Sequence, residues 1–256
     1  MKITNLVEEI FAQAVALDQS GGLRNTIYAT GGEIFIMNYD HTVMLHFRLR
    51  KSEGQFDQPI SFKANDYDSN HFEEKDGRII FYSGKGDYER KKICGTTDIT
   101  PEEVKEIYGD YILDEDGRQI VSLSRDMLEL LDQDLSHIEF SGKKGETIKM
   151  IQRNIYSGGI IEIKKSSKGF FKEELTEDFG PVAIKTDDFK ALFTFQDVMK
   201  FSFPNENKSD YIIVKSADEN KRNMTGIIAC CLYDEVIQIR EAQVKKEETK
   251  IVRRKP

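Results

Sequence analysis

Ile60-Ser61-Phe62-Lys63-Ala64-Asn65-Asp66-Tyr67 and Val182-Ala183-Ile184-Lys185-Thr186-Asp187-Asp188-Phe189 follow one plan. In each, an alternating apolar run ends at a lysine, polar residues able to cap a helix follow, and an aromatic opens a buried face. Alternation is the period of a half-buried strand, and the polar switch marks a helix start. A repeated strand–helix unit of roughly 110 residues is too long for a solenoid repeat, so two copies predict two similar domains.

The elements around each copy extend the parallel. Residues 5–17 place Leu6, Val7, Ile10, Phe11, Ala14 and Leu17 at helical spacing, with Thr4 or Asn5 able to cap. Strand-like runs follow at 25–29, 33–37 and 42–49, then a short helix at 65–72 and strands at 78–83 and 88–94. Thr100-Pro101-Glu102-Glu103 is a helix-start signature inside an acidic stretch that reads as an interdomain connector over 98–119. The pattern then restarts. A strand at 120–123 leads to a helix capped by Ser124 and running to residue 135, with Met127, Leu128, Leu131 and Leu135 on one face. Strands at 146–153 and 159–164, a helix at 186–195 and strands at 198–203, 211–216 and 225–233 complete it. The expected fold class is α+β, two similar domains over 1–97 and 120–240, each an antiparallel sheet packed with two helices. A charged, disordered tail is expected over 241–256.

Composition narrows the function. The 256 residues carry a formal net charge of −8, 39% apolar and 32% charged residues. That is a soluble, globular composition whose acidity opposes indiscriminate nucleic-acid binding while allowing a local basic strip. No apolar run reaches the length of a membrane span, and the first residues lack a signal-peptide core, so a cytoplasmic protein is expected. Cys94, Cys230 and Cys231 form no CxxC pair and read as buried small hydrophobes in a reducing compartment.

No catalytic signature stands out in the sequence. Gly84-Lys85-Gly86 lacks the third glycine of a dinucleotide loop and reads as a hairpin turn. Asp66-Tyr67-Asp68-Ser69-Asn70 starts like a calcium loop but places His71 and Gly77 where glycine and glutamate are needed. His41, His46, His71 and His137 show no metal-ligand spacing. The expectation is no enzyme, no metal and no cofactor.

Three stretches resemble DNA sliding clamps, most closely the tailed-phage type with two domains per subunit. They are Met1-Lys2-Ile3 through the first helix to Met37; Val121-Ser122-Leu123-Ser124-Arg125-Asp126-Met127-Leu128-Glu129-Leu130-Leu131; and Val182 to Leu192 with the strands from Val198 to Val214. The likeness covers roughly residues 1–235 and lies in the pattern of elements. It implies a viral DNA-replication processivity factor acting in the host cytoplasm. The implied assembly is a homotrimeric ring around duplex DNA, with DNA polymerase and a clamp loader as partners and no membrane. It also implies helices toward the hole and head-to-tail contacts between border strands. The DNA-facing candidates are then Lys2, Lys63, Arg125, Lys185 and Lys190. Tyr108, Tyr111, Ile112 and Leu113 in the connector are the candidates for receiving partner peptides.

The basic lining is thin, since Glu8, Glu9 and Gln13 occupy the first helix and Asp126, Glu129 and Asp132 the second domain's helix. Phosphate attraction normally comes from Lys and Arg. Either DNA contact is weak and watery, or loop residues such as Lys85, Arg90, Lys91 and Lys92 supply charge, or the fold no longer holds DNA. The last case is a clamp-fold interaction scaffold that does not encircle DNA. An enzyme with a spatially assembled site is a third class.

Overall fold

The computed structural model describes residues 4–21, 25–38, 42–67, 71–75, 78–85, 88–94, 99–112, 118–132, 135–153, 160–163, 175–204, 211–217 and 223–231. The chain forms two compact units. The first comprises Met1–Glu115, Thr194–Gln196 and Ile213–Ile228; the second comprises Asp116–Phe193, Asp197–Ile212 and Ala229–Pro256.

In chain order the first half contains α1 (Asn5–Gly21), β1 (Thr26–Gly31), β2 (Glu33–Met37), β3 (Val43–Arg48) and β4 (Phe56–Lys63). A 3-10 turn at Ala64–Asp66, β5 (His71–Lys75), β6 (Arg78–Lys85), β7 (Tyr88–Cys94) and α2 (Pro101–Ile112) follow. Next come β8 (Arg118–Ser124), a 3-10 segment at Arg125–Leu130, β9 (His137–Gly142), β10 (Lys149–Arg153), β11 (Ile160–Ile163) and β12 (Phe179–Lys185). The series closes with α3 (Thr186–Leu192), β13 (Val198–Pro204), β14 (Tyr211–Ser216) and β15 (Asn223–Ala229).

In the first unit the strand order is β4-β1-β2-β3-β15, with β14 beside β15, and a second sheet runs β5-β6-β7. The registered pairs are antiparallel: Ile36 faces Leu45 across β2–β3, and Gly226 faces Leu45 across β3–β15. Gly226 is required there. A Cβ would lie 2.8 Å from Leu45 Cδ2 and 2.9 Å from the Met44 carbonyl oxygen. The core under α1 is aromatic. Val7, Ile10, Phe11 and Ala14 form its buried stripe, and Phe11 meets Phe62 edge-on at 5.3 Å. Phe62 in turn meets Phe81 at 5.3 Å. Each buried ring contributes about 1.5–3 kcal/mol of apolar transfer energy.

In the second unit the order is β12-β9-β10-β11, with β13 paired to β8. Its core joins Phe140 to Phe203 at 5.1 Å and Phe189 to Phe193 at 5.1 Å. Gly180 sits at the register shift between Phe179 and Val182 with φ +74°, where a Cβ would lie 2.6 Å from the Phe140 carbonyl oxygen. Only glycine meets both the left-handed backbone and the close approach.

The two lysine-ended runs fold alike. Lys63 faces Thr26 at the end of β4, and Lys185 faces His137 at the end of β12. Both lysines are extended, with φ/ψ of −73°/135° and −66°/137°. The next amide then bonds back across the strand pair, Ala64 N–H to Asn25 O at 2.8 Å and Thr186 N–H to Ser136 O at 2.9 Å. The strand order β4-β1-β2-β3 recurs as β12-β9-β10-β11.

Several sequence expectations change. The helix expected at 65–72 shortens to the 3-10 turn. Tyr67 turns extended, and β5 starts at His71 to pair with β6. The helix expected from Ser124 to residue 135 is the 3-10 segment Arg125–Leu130 instead. The cause is Gln152, fully buried on β10. Its Oε1 accepts the Asp132 N–H at 2.8 Å, and its Nε2 donates to Asp132 O at 2.6 Å and Leu135 O at 3.2 Å. These bonds hold the backbone where a helix would need it for itself. β9 was missed, although His137-Ile138-Glu139-Phe140 alternates. The helix expected at 186–195 ends at Leu192. Cys230 and Cys231 are half-buried rather than buried, and the 241–256 tail lies outside the described residues.

Replacing Gln152 by Leu removes three bonds and strands the Asp132 amide. The expected loss is about 2–4 kcal/mol in urea denaturation, with the change in helical circular dichroism small because little helix is at stake.

Candidate functional site

The face of β1-β2-β3-β15 that carries α2 brings polar and aromatic side chains together in two rows. Strand register places Tyr28, Phe35, His46 and Thr225 in one row, because Tyr28 faces Phe35, Phe35 faces His46, and His46 faces Thr225. The neighbouring row contains Thr30, Glu33, Arg48 and Asn223 by the same pairings. Residues two apart share a strand face, so both rows point the same way.

The second helix lies on these rows. Thr100 caps it, with its hydroxyl accepting the Glu103 N–H at 3.2 Å while Glu103 Oε2 accepts the Thr100 N–H at 2.7 Å. This reciprocal pair satisfies two donors of the first turn and holds the Glu103 carboxyl below its usual range. Pro101, Val104 and Tyr108 are buried, and three- and four-residue steps put them on one face. Thr30 donates to Glu102 Oε1 at 3.1 Å, Lys105 pairs with Glu33, and the Tyr108 hydroxyl bonds that of Thr225. The Tyr108 ring stands edge-on to Phe35 at 5.7 Å and to His46 at 4.9 Å.

His46 is sealed beneath. It is 3% exposed and stacks on Phe35 with centroids 4.3 Å apart and planes 6° apart. Nε2 lies 3.3 Å from Glu33 Oε1, yet neither ring nitrogen makes a hydrogen bond among the described residues. Burial is the main force pulling its pKa down to about 4, opposed by Glu33 and reinforced by Arg48 and Lys105. Partial burial pushes Glu33 upward, but the Lys105 hydrogen bond and the nearby cationic groups leave it lowered.

The expected site residues divide sharply. Tyr108 is a packed core residue of the α2 seat, and Tyr111 and Ile112 close α2, where only the backbone is described. Lys2 and Leu113 lie outside the described residues. Lys63 is exposed and Lys185 half-exposed at equivalent strand ends; Lys190 is half-exposed in the last turn of α3. Arg125 is tied into α3's end. Its Nε donates to Phe193 O at 2.9 Å and its Nη1 pairs with Asp197 at 3.0 Å, satisfying a carbonyl that the helix leaves open. Lys85 and Arg90, Lys91 and Lys92 lie on β6 and β7 rather than in loops, and Lys92 pairs with Asp66 at 3.1 Å. Sequence reasoning missed His46 as part of any site. Its signal was a single polar residue within Val43-Met44-Leu45-His46-Phe47.

Among the described residues, no group of three or more His, Cys, Asp or Glu side chains could hold a metal. No described helix is long and apolar enough to cross a membrane.

No protein-family model matches the chain, and no curated protein matches it. Solved structures do. A PCNA2–PCNA3 complex from Sulfolobus tokodaii matches with a TM-score of 0.56 at 12% identity, over 89% of this chain and 97% of that one. Proliferating cellular nuclear antigen from Entamoeba histolytica gives 0.54 at 13% identity, over 88% and 96%. The DNA polymerase III beta chain from Streptococcus pneumoniae gives 0.59 at 12% identity, over 90% of this chain and 63% of that one. The fold is therefore clamp-like, α+β with antiparallel sheets.

The His46 environment predicts a pH dependence. An unfolded histidine titrates near 6.5 and the folded one near 4, so the unfolded state binds the extra proton between those values. Stability falls as pH drops through that window, by up to about 3 kcal/mol. His46→Phe keeps the ring stack and should flatten this part of the profile, read as urea midpoints from pH 7 to pH 4. An unchanged slope would place the titrating group elsewhere.

Proposed function

We propose that this chain is a subunit of a DNA sliding clamp, a viral processivity factor of the tailed-phage type. It forms a homotrimeric ring around duplex DNA in the host cytoplasm and tethers DNA polymerase after a clamp loader places it. It performs no chemistry of its own. The α+β chain consists on this account of two similar clamp domains.

One observation carries the proposal. The strand order β4-β1-β2-β3 recurs as β12-β9-β10-β11, and the trio β5-β6-β7 occupies the place in the first half that β13-β14-β15 occupies in the second. The border of β3 is covered within the chain by β15. The counterparts of those two strands are β11 and β7, and both stand at sheet borders among the described residues. An open border is a template for another chain. Pairing β7 of one copy with β11 of the next would repeat between chains the contact that β15 and β3 make within one. Such a head-to-tail contact closes into a ring when its rotation is right. The exposed Ile93 on β7, 55% accessible, gives that contact an apolar centre.

Lys63 and Lys185 are the best-supported DNA-facing residues, since equivalent strand ends present them in equivalent conformations. Lys190, Arg125 and Lys2 follow as weaker members. Topological linkage tolerates so thin a lining, because holding DNA then requires no tight phosphate grip. The connector residues Tyr108, Tyr111, Ile112 and Leu113 mark the partner-docking region.

A second assignment, a clamp-fold interaction scaffold that does not encircle DNA, is favoured by α1, which contains no Lys or Arg and exposes Glu9.

Light scattering separates them. The ring predicts three times the 29.5 kDa chain mass, and Ile93→Glu should return the mass to one chain without unfolding it. A monomer at tens of micromolar would contradict the ring. For the DNA face, Lys63→Glu with Lys185→Glu should reduce the salt-dependence slope of duplex binding by about two. An unchanged slope removes both lysines from that face.

A further inference from the structure

We propose that α2 is a displaceable strap whose Tyr108 fills, in cis, the sheet row Tyr28–Phe35–His46–Thr225, and that a partner docks by exchanging its own aromatic anchor for Tyr108. This rests on the partner-docking region assigned above and adds how that region is regulated.

Four observations converge. The Tyr108 ring covers the row edge-on, and its hydroxyl reaches Thr225 at the row's far strand. Second, α2 carries its own capping box, so its first turn does not need the sheet for its hydrogen bonds. Third, two of the polar ties between α2 and the sheet, Thr30 to Glu102 and Lys105 to Glu33, lie toward solvent, and the part-buried Tyr108–Thr225 bond is the one an exchanging anchor replaces. Exposed pairs such as the first two hold weakly.

The fourth observation concerns His46. The closed strap buries this imidazole at 3% exposure with both nitrogens outside hydrogen-bonding geometry. A buried polar group without a hydrogen bond opposes the state that buries it. Undocking α2 lets water reach His46, and a partner segment that brings a hydrogen-bonding group to a ring nitrogen, in the plane of the ring, does better than Tyr108. The closed state is thus favoured by apolar burial and opposed by an imidazole whose polar neighbour, Glu33 at 3.3 Å, is out of hydrogen-bond alignment, which is the balance a strap needs in order to open.

The row also specifies the occupant's chemistry. It takes an aromatic side chain on a helix, with a lysine three residues earlier to meet Glu33 and a hydrogen-bonding group near His46. Those are the spacings by which Lys105 and Tyr108 engage it now. A tethered segment competes at an effective concentration in the millimolar range, so the strap imposes a threshold that only such an anchor passes.

The test uses a labelled peptide of this chain's own residues 99–112, titrated against the full-length protein by fluorescence anisotropy. Wild type should bind it weakly. Tyr108→Ala, which empties the row, should bind it roughly tenfold or more tighter. A peptide with the same Tyr→Ala change should lose that gain. Tyr108→Phe keeps the ring without the Thr225 bond, so it should fall between, and it decides the matter if the alanine variant does not fold. Ile107→Ala, on the outward face at 43% exposure, should behave as wild type. Equal peptide affinity for wild type, Tyr108→Ala and Tyr108→Phe would overturn the strap. Because the readout involves no DNA, polymerase or ring, a failed ring leaves this result standing and a failed strap leaves the ring standing.

Discussion

Open strand borders are the constraint on which the structure depends. The last strand of a sheet presents amides and carbonyls with no partner, and such a row must be shortened, covered or paired. β3 meets the constraint with β15, a strand from the far end of the sequence, and Gly226 lets the two backbones approach. That contact is long-range and cannot form until most of the chain exists. Among the described residues β7 and β11 stand at sheet borders, and on the proposed two-domain account they hold the equivalent positions. The proposed assembly follows from applying one solution twice, once within a chain and once between chains.

Polar side chains that bond the backbone of other elements fix where several segments end. Gln152 takes hold of the backbone at Asp132 and Leu135, so the apolar stripe of Met127 and Leu131 is served by a 3-10 segment instead of a full helix. Gln119 does the same for the stretch before β12, its Oε1 accepting the amides of Thr176 and Glu177 at 3.0 Å. Arg125 closes α3 through Phe193 O. Arg125, which reads as a free charge in the sequence, is thus partly committed to the fold.

Much of the architecture was legible because it is periodic. The strands at 33–37 and 88–94 have those bounds in the structure, and the lysine-ended runs share register and dihedrals. Thr100-Pro101 correctly announced a helix. For the helix expected from Ser124, a long-range partner overrode the local pattern. Nothing near residue 131 in sequence reveals Gln152, whereas β5 pairs with the neighbouring β6 and was hidden because its lead-in reads as a helix start. Tyr108 was legible as an aromatic in the connector, but its burial against Phe35 and His46 depends on three strands and a helix meeting. His46 itself was visible only as one polar letter in an apolar run.

Hydrogen exchange of the β7 and β11 amides at increasing protein concentration tests the central claim most directly. The account predicts that both strands gain protection together as concentration rises, while β3 and β15, already paired within the chain, do not change. Exchange in β7 and β11 that is independent of concentration would contradict it.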